Sequence, residues 1–445
     1  MLNVLLISIY ELGRQPFGLA SPAAWLRAEG HGVRCLDLAC SVLPRSAVTE
    51  ADLVAFYVPM HTATRLAAKA IEKVRAIHPR VHICCYGLYA PMNELYLRER
   101  GVQTILGGEF EQGLADLARR LASGRNGVQQ EPLISIARQR FLVPDRSGLP
   151  AFECYAKLLV NGEQRLVGYT ESSRGCKHLC RHCPVVPVYN GTFRVVAREV
   201  VLEDIRRQVA AGAEHITFGD ADFFNGPGHA MAIVEALRAE NPTLTYDVTI
   251  KIEHLLRHRD LLPALKRTGC LFVTSAVEAI DDAVLEKLAK GHTRADFIET
   301  VRLMREAGLT LAPTFVTFTP WTTWEGYREL LQLLVDLDLV ENVSPIQLAM
   351  RLLIPAGSRL LELIDIRDMV GPFDPAALSY KWRHRDPGLD RLCAGIQSLI
   401  QHEERRKATR AEIFAKIWEL AYGRPPDFHL ASRASIPYLN EPWYC

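Results

Sequence analysis

The stretch Ser173-Arg-Gly-Cys-Lys-His-Leu-Cys-Arg-His-Cys-Pro184 places Cys176, Cys180 and Cys183 in a C-x3-C-x2-C spacing, directly after a predicted strand. Three thiolates on one short loop can hold three irons of a [4Fe–4S] cube and leave the fourth iron without a protein ligand. An iron with an open position can bind a small molecule and pass it an electron. The spacing therefore predicts an iron–sulfur centre with room for a cosubstrate.

A zinc site is the alternative for the same loop, because Cys3His is an accepted zinc ligand set and His178 or His182 can supply the fourth ligand. A zinc knuckle usually brings a second ligand pair about 12–20 residues away. No C-x-x-C or H-x3-H follows this loop at that distance. Chance clustering of three of the 11 cysteines in a buried turn is the third interpretation. The flanking sequence favours the iron–sulfur centre.

The composition is that of an ordinary globular chain. Its 445 residues are 49% hydrophobic and 23% charged, and this length predicts about two to four domains. The balance of 52 basic and 51 acidic residues argues against general nucleic-acid binding. The apolar start, residues 1–8, lacks a basic segment and a cleavage site and is too short to span a bilayer, so we expect a buried strand and no membrane anchor. The odd cysteine number and the metal-type spacing predict a reducing, cytoplasmic location.

Residues 1–122 alternate short apolar runs with amphipathic segments. The runs are continuous, as parallel strands covered on both faces must be, and five βα units of this kind predict an open, doubly wound α/β sheet. Ligands of such sheets lie at the carboxyl ends of the strands. The predicted strands are residues 4–9, 33–38, 53–58, 81–86 and 103–106.

A breaker-rich linker, residues 123–160, separates this sheet from a second βα series in residues 161–368. Six units are too few for a closed eight-stranded barrel and predict a partial one. Thr293 and Asp296 form a predicted capping box. Residues 369–445 are predicted to be helical, with a proline-rich aromatic tail. The predicted barrel strands are residues 165–171, 215–218, 244–250, 270–277, 310–318 and 343–352.

Two stretches carry a resemblance to known proteins: the cysteine loop with its flanks, residues 171–190, and the tail Asn440-Glu-Pro-Trp-Tyr-Cys445. The loop resembles the signature of the radical S-adenosylmethionine (SAM) superfamily. Together, the stretches resemble the CUAEP/CCAEP-tail radical SAM proteins over essentially the whole chain. The resemblance implies a partial (β/α)6 barrel, with a [4Fe–4S] cluster and SAM as cofactors.

The resemblance also suggests residues that contact SAM. His182, before the third cysteine, holds the place of an aromatic residue that packs on adenine; the alternative is a solvated loop histidine. The segment Phe218-Gly219-Asp220 takes the place of a Gly-Gly-Glu motif that holds the methionine amino group. We prefer Asp220 to Asp222 as the acid, and helix capping is the alternative for both.

Two later strands supply the remaining predicted SAM contacts. Ser275 and Glu278 end the fourth barrel strand, where the superfamily presents an acid to the ribose hydroxyls. Arg351 lies within an apolar strand, where an unpaired guanidinium is costly. It either pairs with a neighbouring acid or binds the carboxylate of SAM or of a substrate. Lys251 and Glu253, after the third strand, raise the same question.

A doubly wound domain ahead of the barrel resembles the B12-dependent branch and raises cobalamin as a further cofactor. The Asp-x-His-x-x-Gly motif that supplies an axial histidine to cobalt is absent from residues 1–122. Members that lack it either bind cobalamin without a protein imidazole or have kept only the fold.

The leading functional hypothesis is an enzyme that cleaves SAM reductively and acts on a small-molecule or peptide substrate, with cobalamin-dependent alkyl or methyl transfer as an extension. It implies an electron donor such as a flavodoxin or ferredoxin. The alternative is a zinc- or iron–sulfur-binding redox sensor without SAM turnover. The resembled family ends in Cys-Cys-Ala-Glu-Pro or its selenocysteine version, so we expect Cys445 to be followed by selenocysteine in the native protein.

Overall fold

The computed structural model describes residues 1–125, 128–427 and 438–439, and two large sheets organise them. In chain order the strands are β1 (Asn3–Ser8), β2 (Gly32–Asp37), β3 (Leu53–Tyr57), β4 (His82–Tyr86), β5 (Thr104–Gly108), β6 (Ile134–Ser135), β7 (Lys157–Val160), β8 (Glu163–Thr170), β9 (Ser173–Gly175), β10 (Phe193–Val195), β11 (His215–Phe218), β12 (Thr245–Thr249), β13 (Cys270–Glu278), β14 (Thr310–Phe315), β15 (Val370–Asp374), β16 (Ser379–Trp382) and β17 (Tyr438–Leu439). The α-helices are α1 (Phe17–Ala28), α2 (Arg45–Thr49), α3 (His61–Ile77), α4 (Glu94–Glu99), α5 (Phe110–Ala122), α6 (Val186–Tyr189), α7 (Arg198–Ala210), α8 (Pro227–Glu240), α9 (Ile252–Arg257), α10 (Leu262–Thr268), α11 (Asp282–Lys287), α12 (Arg294–Glu306), α13 (Trp324–Asp336), α14 (Ile364–Arg367), α15 (Pro387–Arg405) and α16 (Arg410–Tyr422).

The N-terminal sheet is parallel throughout, in the order β2-β1-β3-β4-β5-β6. Alternate residues of β1 pack into different apolar clusters, Leu5 and Ile7 into one and Val4 and Leu6 into the other. Both faces are therefore covered, which explains the continuous apolar runs in the sequence. The predicted doubly wound sheet is confirmed, with its strand order reversing between β1 and β3.

The second sheet has the order β14-β13-β12-β11-β8-β7-β17. Strands β8 and β11 to β14 run parallel, whereas β7 is antiparallel to β8 and β17 is antiparallel to β7.

The predicted capping box is confirmed at the start of α12, where Thr293 accepts from the Asp296 N–H and the Asp296 side chain accepts from the Thr293 N–H. Strands β6 and β7, which each extend one sheet, lie within the predicted linker.

The prediction of a sixth barrel strand at residues 343–352 is wrong. Pro345–Ala349 form a 3-10 helix, and a single bridge from Phe318 to Arg351 occupies the sixth position. Pro345 has no N–H to donate to a ladder, and Gln347 Oε1 accepts the Phe315 N–H at 3.0 Å. A side chain thus takes the hydrogen bond that a sixth strand would accept.

The C-terminal region joins both sheets. Leu378, in the turn of the β15–β16 hairpin, is fully buried in an apolar cluster of the N-terminal domain. Helices α15 and α16 pack on the barrel core through residues such as Ile396 and Phe414. None of the described helices combines the length and apolarity needed to cross a bilayer.

Candidate active site

The three cysteines lie on the loop between β9 and α6, at the carboxyl end of β8, where sites of parallel βα sheets are built. The loop begins at Gly175, whose φ is 77°, and a Cβ there would lie 2.4 Å from the Tyr189 ring. Only glycine fits this turn. Cys176, Cys180 and Cys183 are all free thiols.

The distances between the three sulfurs help to distinguish an iron–sulfur cluster site from a zinc site. Sulfurs bound to one Zn²⁺ at about 2.3 Å lie at most about 4.6 Å apart. In the described part of the chain, ligand atoms of His178, Asp222 and His254 lie within 4.8 Å of one another, whereas the three cysteine sulfurs do not. Burial, with a smaller contribution from Cys180 and Cys176, raises the pKa of Cys183 to about 12, so a metal centre is needed to hold it as a thiolate. A larger multi-iron cluster fits this donor set better than a single ion.

Glu278 forms an ion cluster with two basic groups at the same mouth. Its Oε1 lies 3.1 Å from His182 Nε2 and 3.5 Å from Lys290 Nζ. Burial alone would raise the pKa of Glu278, but Lys290 and His182 outweigh it and lower the pKa to about 2. Its φ of 71° is a left-handed conformation that a non-glycine residue rarely holds, and such strain clusters at functional sites.

The residues around Glu278 fit SAM. Among the described residues, the buried His182 Nδ1 has no hydrogen-bond partner, although buried polar atoms in folded proteins are nearly always paired. SAM offers adenine nitrogens, ribose hydroxyls, an amino group and a carboxylate. A ligand of this kind can pair with the free His182 nitrogen and with the ionised Glu278 carboxylate. Lys290 was not singled out from the sequence, although the basic run Lys290-Gly-His292 after β13 was a usable signal.

Phe218, Gly219 and Asp220 lie at the carboxyl end of β11, as predicted, but the Asp220 carboxylate is occupied by contacts with Ser172 and Ser173. Asp220 is 2% exposed; its Oδ1 accepts from the Ser172 and Ser173 hydroxyls at 2.6 Å each, and its Oδ2 accepts from the Ser172 N–H at 2.9 Å. The carboxylate therefore ties the start of the cysteine loop to β11. The Phe218 ring packs in the core against Phe223, and a Cβ on Gly219 would collide with the Tyr169 hydroxyl.

Two predicted residues lie away from the mouth. Ser275 is fully buried and alternates on β13 with Thr274, which lines the barrel cavity, so Ser275 faces the helices instead. Arg351 Nη1 pairs with Asp390 at 2.6 Å and its guanidinium lies over the Trp382 ring. Of the two interpretations for Arg351, the structure favours pairing with a neighbouring acid.

A cavity of about 330 Å³ lies inside the barrel, within the range of about 300–1,000 Å³ usual for small-ligand sites. Asp220 and Asp247 are its acidic lining residues. Asp247 accepts from the Thr217 hydroxyl at 2.6 Å and contacts His215 Nε2 at 2.9 Å. Further lining residues come from the strands, the N-terminal domain and the C-terminal region: Thr249, Thr274, Thr314, Arg14, Arg410 and Tyr438.

A buried ion network joins the two sheets. Arg174, two residues before Cys176, contacts Glu111 at 2.7 Å, Glu171 at 2.6 Å and Glu109 at 3.4 Å. Burial raises the pKa of Glu171 to about 7, since the lowering effect of Arg174 is smaller and Asp220 and Glu111 add to the rise. One guanidinium only partly compensates three buried carboxylates, which is consistent with the raised pKa of Glu171.

The carboxyl edge of the N-terminal sheet is largely filled by its own side chains. The Tyr57 ring lies where Cβ atoms on Gly18 and Gly87 would be, 2.2 and 3.0 Å away, and it packs 5.9 Å from the Phe110 ring. The cavity left between this edge and Arg174 measures about 160 Å³. As these side chains stand, a corrinoid, which is larger than most ligands, does not fit there.

Comparison with known proteins matches residues 170–334 to the radical SAM superfamily. The hopanoid C-3 methylase of Methylococcus capsulatus is 25% identical over 343 residues, covering 74% of this chain and 66% of that protein. The chain therefore spans just under two thirds of that relative.

Solved structures of two proteins share the fold. One is the radical S-adenosylmethionine methyltransferase TsrM from Kitasatospora setae with cobalamin and a [4Fe-4S] cluster bound, with a TM-score of 0.59 at 18% identity, covering 76% of this chain and 70% of that one. The other is the cobalamin-dependent S-adenosylmethionine radical enzyme OxsB with aqua-cobalamin and S-adenosylmethionine bound, with a TM-score of 0.70 at 14% identity, covering 90% and 67%. A [4Fe–4S] cluster and SAM are the cofactors that the matched domain implies.

Proposed function

We propose that this chain, whose residues 170–334 are a radical SAM domain, is an enzyme that cleaves SAM reductively and uses the 5′-deoxyadenosyl radical to abstract a hydrogen atom from its substrate. One observation carries the proposal: the loop that holds three free cysteines also carries His182, which contacts Glu278 beside Lys290 at the barrel mouth. When bound, the [4Fe–4S] cluster supplies the electron for SAM cleavage. Cys176, Cys180 and Cys183 would hold it.

The protein's own groups bind and orient SAM in this proposal. Glu278, ionised across the physiological range because its pKa is about 2, accepts from the two ribose hydroxyls. His182 places its ring against the adenine, as the resemblance implies, and Lys290 keeps the Glu278 carboxylate in position. Asp220 supports the loop through Ser172 and Ser173, and Phe218, Gly219 and Asp220 line the barrel cavity.

The barrel cavity is the proposed place of the reacting part of the substrate. Its volume of about 330 Å³ suits a small molecule or one side chain of a peptide. Because SAM cleavage consumes an electron, a flavodoxin or ferredoxin is the proposed partner. A reducing cytosol is the proposed location, since the ten described cysteines are all free.

A more specific proposal, which the similar proteins raise, is that the enzyme transfers a methyl group with the help of cobalamin. It is supported by the fold shared with TsrM and OxsB. Since a corrinoid does not fit the present edge, binding requires Tyr57 to leave its place, and no step above depends on it.

Membership of the CUAEP/CCAEP-tail group, with selenocysteine after Cys445, is also proposed from the tail sequence alone. Cys445 lies outside the described residues. The coding nucleotide sequence is the test: a UGA codon followed by Ala-Glu-Pro codons supports it, and a UAA or UAG codon directly after Cys445 ends it.

Cluster content tests the core of the proposal. Anaerobically reconstituted protein should hold about four irons and four sulfides per chain, and Cys180→Ala should lose the broad visible absorption. Cys270→Ala removes a buried cysteine of β13, away from the loop, and should leave the visible absorption unchanged. A single zinc that survives reconstitution with iron would instead favour the redox sensor.

A further inference from the structure

Three polar side chains, two of them buried, converge beside the cysteine loop. His178 lies on the loop, Asp222 follows β11 and His254 lies in α9. His178 Nε2 is 3.2 Å from His254 Nε2 and 3.6 Å from Asp222 Oδ2, and His254 Nδ1 is 2.7 Å from Asp222 Oδ2. The side chains of His254 and Asp222 are 0% and 2% exposed. Groups brought from three separate segments to one point suggest a shared ligand.

The buried carboxylate of Asp222 is only partly paired within the protein, because its Oδ2 forms an ion pair with His254 Nδ1 at 2.7 Å but no hydrogen bond. Its Oδ1 accepts from the Phe224 N–H at 3.0 Å. Among the described residues, its Oδ2 and the His254 Nδ1 both lack a hydrogen-bond partner, because their close approach does not have hydrogen-bond geometry. A buried carboxylate oxygen without a hydrogen bond is costly, and a cation bound to Asp222 Oδ2 lowers this cost.

We propose that His178, Asp222 and His254 bind one divalent transition-metal ion of the Zn²⁺ type, separate from the iron–sulfur centre. Ligand atoms about 2.0–2.1 Å from a tetrahedral ion lie about 3.3–3.4 Å apart. Measured from His178 Nε2, the separations of 3.2 Å to His254 Nε2 and 3.6 Å to Asp222 Oδ2 are near this spacing, whereas His254 Nδ1 lies closer to Asp222 Oδ2, at 2.7 Å. One ligand atom from each residue lies within 4.8 Å of the others. Two imidazoles and a carboxylate, with a fourth position for water or a ligand, are an established zinc set.

The surrounding charges suit a metal-bound His178. Its Nδ1 lies 3.2 Å from Lys251 Nζ and 3.7 Å from Glu253 Oε2, and the Lys251 ammonium pairs with Glu253 at 3.1 Å. When a metal takes Nε2, Nδ1 carries the ring hydrogen, so the Lys251 ammonium must withdraw from Nδ1 and the Glu253 carboxylate, 3.7 Å away, must approach to accept it. An outer carboxylate of this kind orients a histidine ligand and raises its basicity.

The position of the site gives the ion a structural role. His178 is two residues from both Cys176 and Cys180, whereas Asp222 and His254 follow the neighbouring strands β11 and β12. An ion bound by all three fastens the cysteine loop to the rim of the barrel. This inference does not depend on SAM cleavage, because a metal-binding readout tests it directly.

Zinc titration of the holoenzyme tests the site. The wild-type protein with its cluster intact, freed of loose metal with a mild chelator, should bind one Zn²⁺ by calorimetry, and Zn²⁺ should raise its Tm. Asp222→Asn and His254→Gln should each weaken binding at least about 100-fold, and Glu253→Gln about tenfold. His258→Gln, whose ring centroid lies 5.9 Å from that of His254, is the matched control and should bind normally.

Two outcomes would overturn the site. The first is wild-type holoenzyme that takes up no Zn²⁺, which remains decisive even where a ligand variant fails to fold. The second is equal Zn²⁺ binding by Asp222→Asn and His258→Gln with their visible absorption unchanged.

Discussion

Glu278 lies at the barrel mouth and has both a strained backbone and an ionised carboxylate. It ends β13 with a φ of 71° and contacts a loop histidine 96 positions earlier in the chain. Its low pKa follows from Lys290 and His182. These features make Glu278 the best-supported SAM contact among the predicted residues.

Substitution of Glu278 should separate SAM binding from cluster binding. Glu278→Gln keeps the shape and removes the charge, so we expect normal iron content and SAM binding weakened by about 1–3 kcal/mol. Equilibrium dialysis with labelled SAM measures this. Glu299→Gln, an exposed acid on α12, is the control, and equal SAM affinity in both variants would refute the placement.

Glu171 should make stability depend on pH. Its pKa in the folded protein, about 7, exceeds the ordinary 4.5. The folded state therefore binds more protons, and the stability from this group is complete below about pH 4.5 and lost as pH rises through about 7. Between about pH 5.5 and about pH 8, we expect the unfolding free energy of the wild type to fall by about 2–3 kcal/mol relative to Glu171→Gln. Urea unfolding of both proteins measures this, and parallel pH curves would contradict it.

At the scale of elements, the carboxyl edge of the N-terminal sheet decides whether that domain can take a cofactor. Tyr57 ends β3 and its ring closes the edge against Gly18 and Gly87. The strand order there is that of ligand-binding doubly wound sheets. The edge therefore has the strand order of a ligand-binding site, but the Tyr57 ring occupies the space that a ligand would need.

Removal of the Tyr57 ring should open this edge. We expect Tyr57→Ala to bind hydroxocobalamin at least about tenfold more tightly than the wild type, because the wild type must first displace a buried ring. Tyr96→Ala, in α4 of the same domain, is the control, and spectrophotometric titration supplies the affinities. Identical affinity in the Tyr57→Ala and wild-type proteins would show that the ring is no obstacle.

Periodicity predicted the elements whose strands have continuous apolar runs, including β1, β3 and β13. It failed at residues 343–352, which are apolar enough for a strand but contain Pro345 and a glutamine side chain that replaces the ladder bond. The short strands β7 and β17 were not predicted either, since four and two residues carry little pattern and depend on a distant partner for their pairing.

At the scale of the whole molecule, the parallel strands of both sheets direct their carboxyl ends toward the cysteine loop, and Arg174 joins the two sheets there. The three cysteines were predictable because their spacing is local. The contacts of Asp220 with Ser172 and Ser173, and of Glu278 with Lys290, were not, since they depend on which strands become neighbours. The residue types of the proposed site could therefore be predicted from the sequence, whereas the contacts of each acid required the structure.

Formation of 5′-deoxyadenosine from SAM tests the central claim most directly. Holoenzyme reduced anaerobically with dithionite or a flavodoxin system should release 5′-deoxyadenosine in at least stoichiometric amount by mass spectrometry. Cys270→Ala should do the same, and Cys180→Ala should form none. Wild-type protein with about four irons per chain that leaves SAM intact under both reductants would contradict the account.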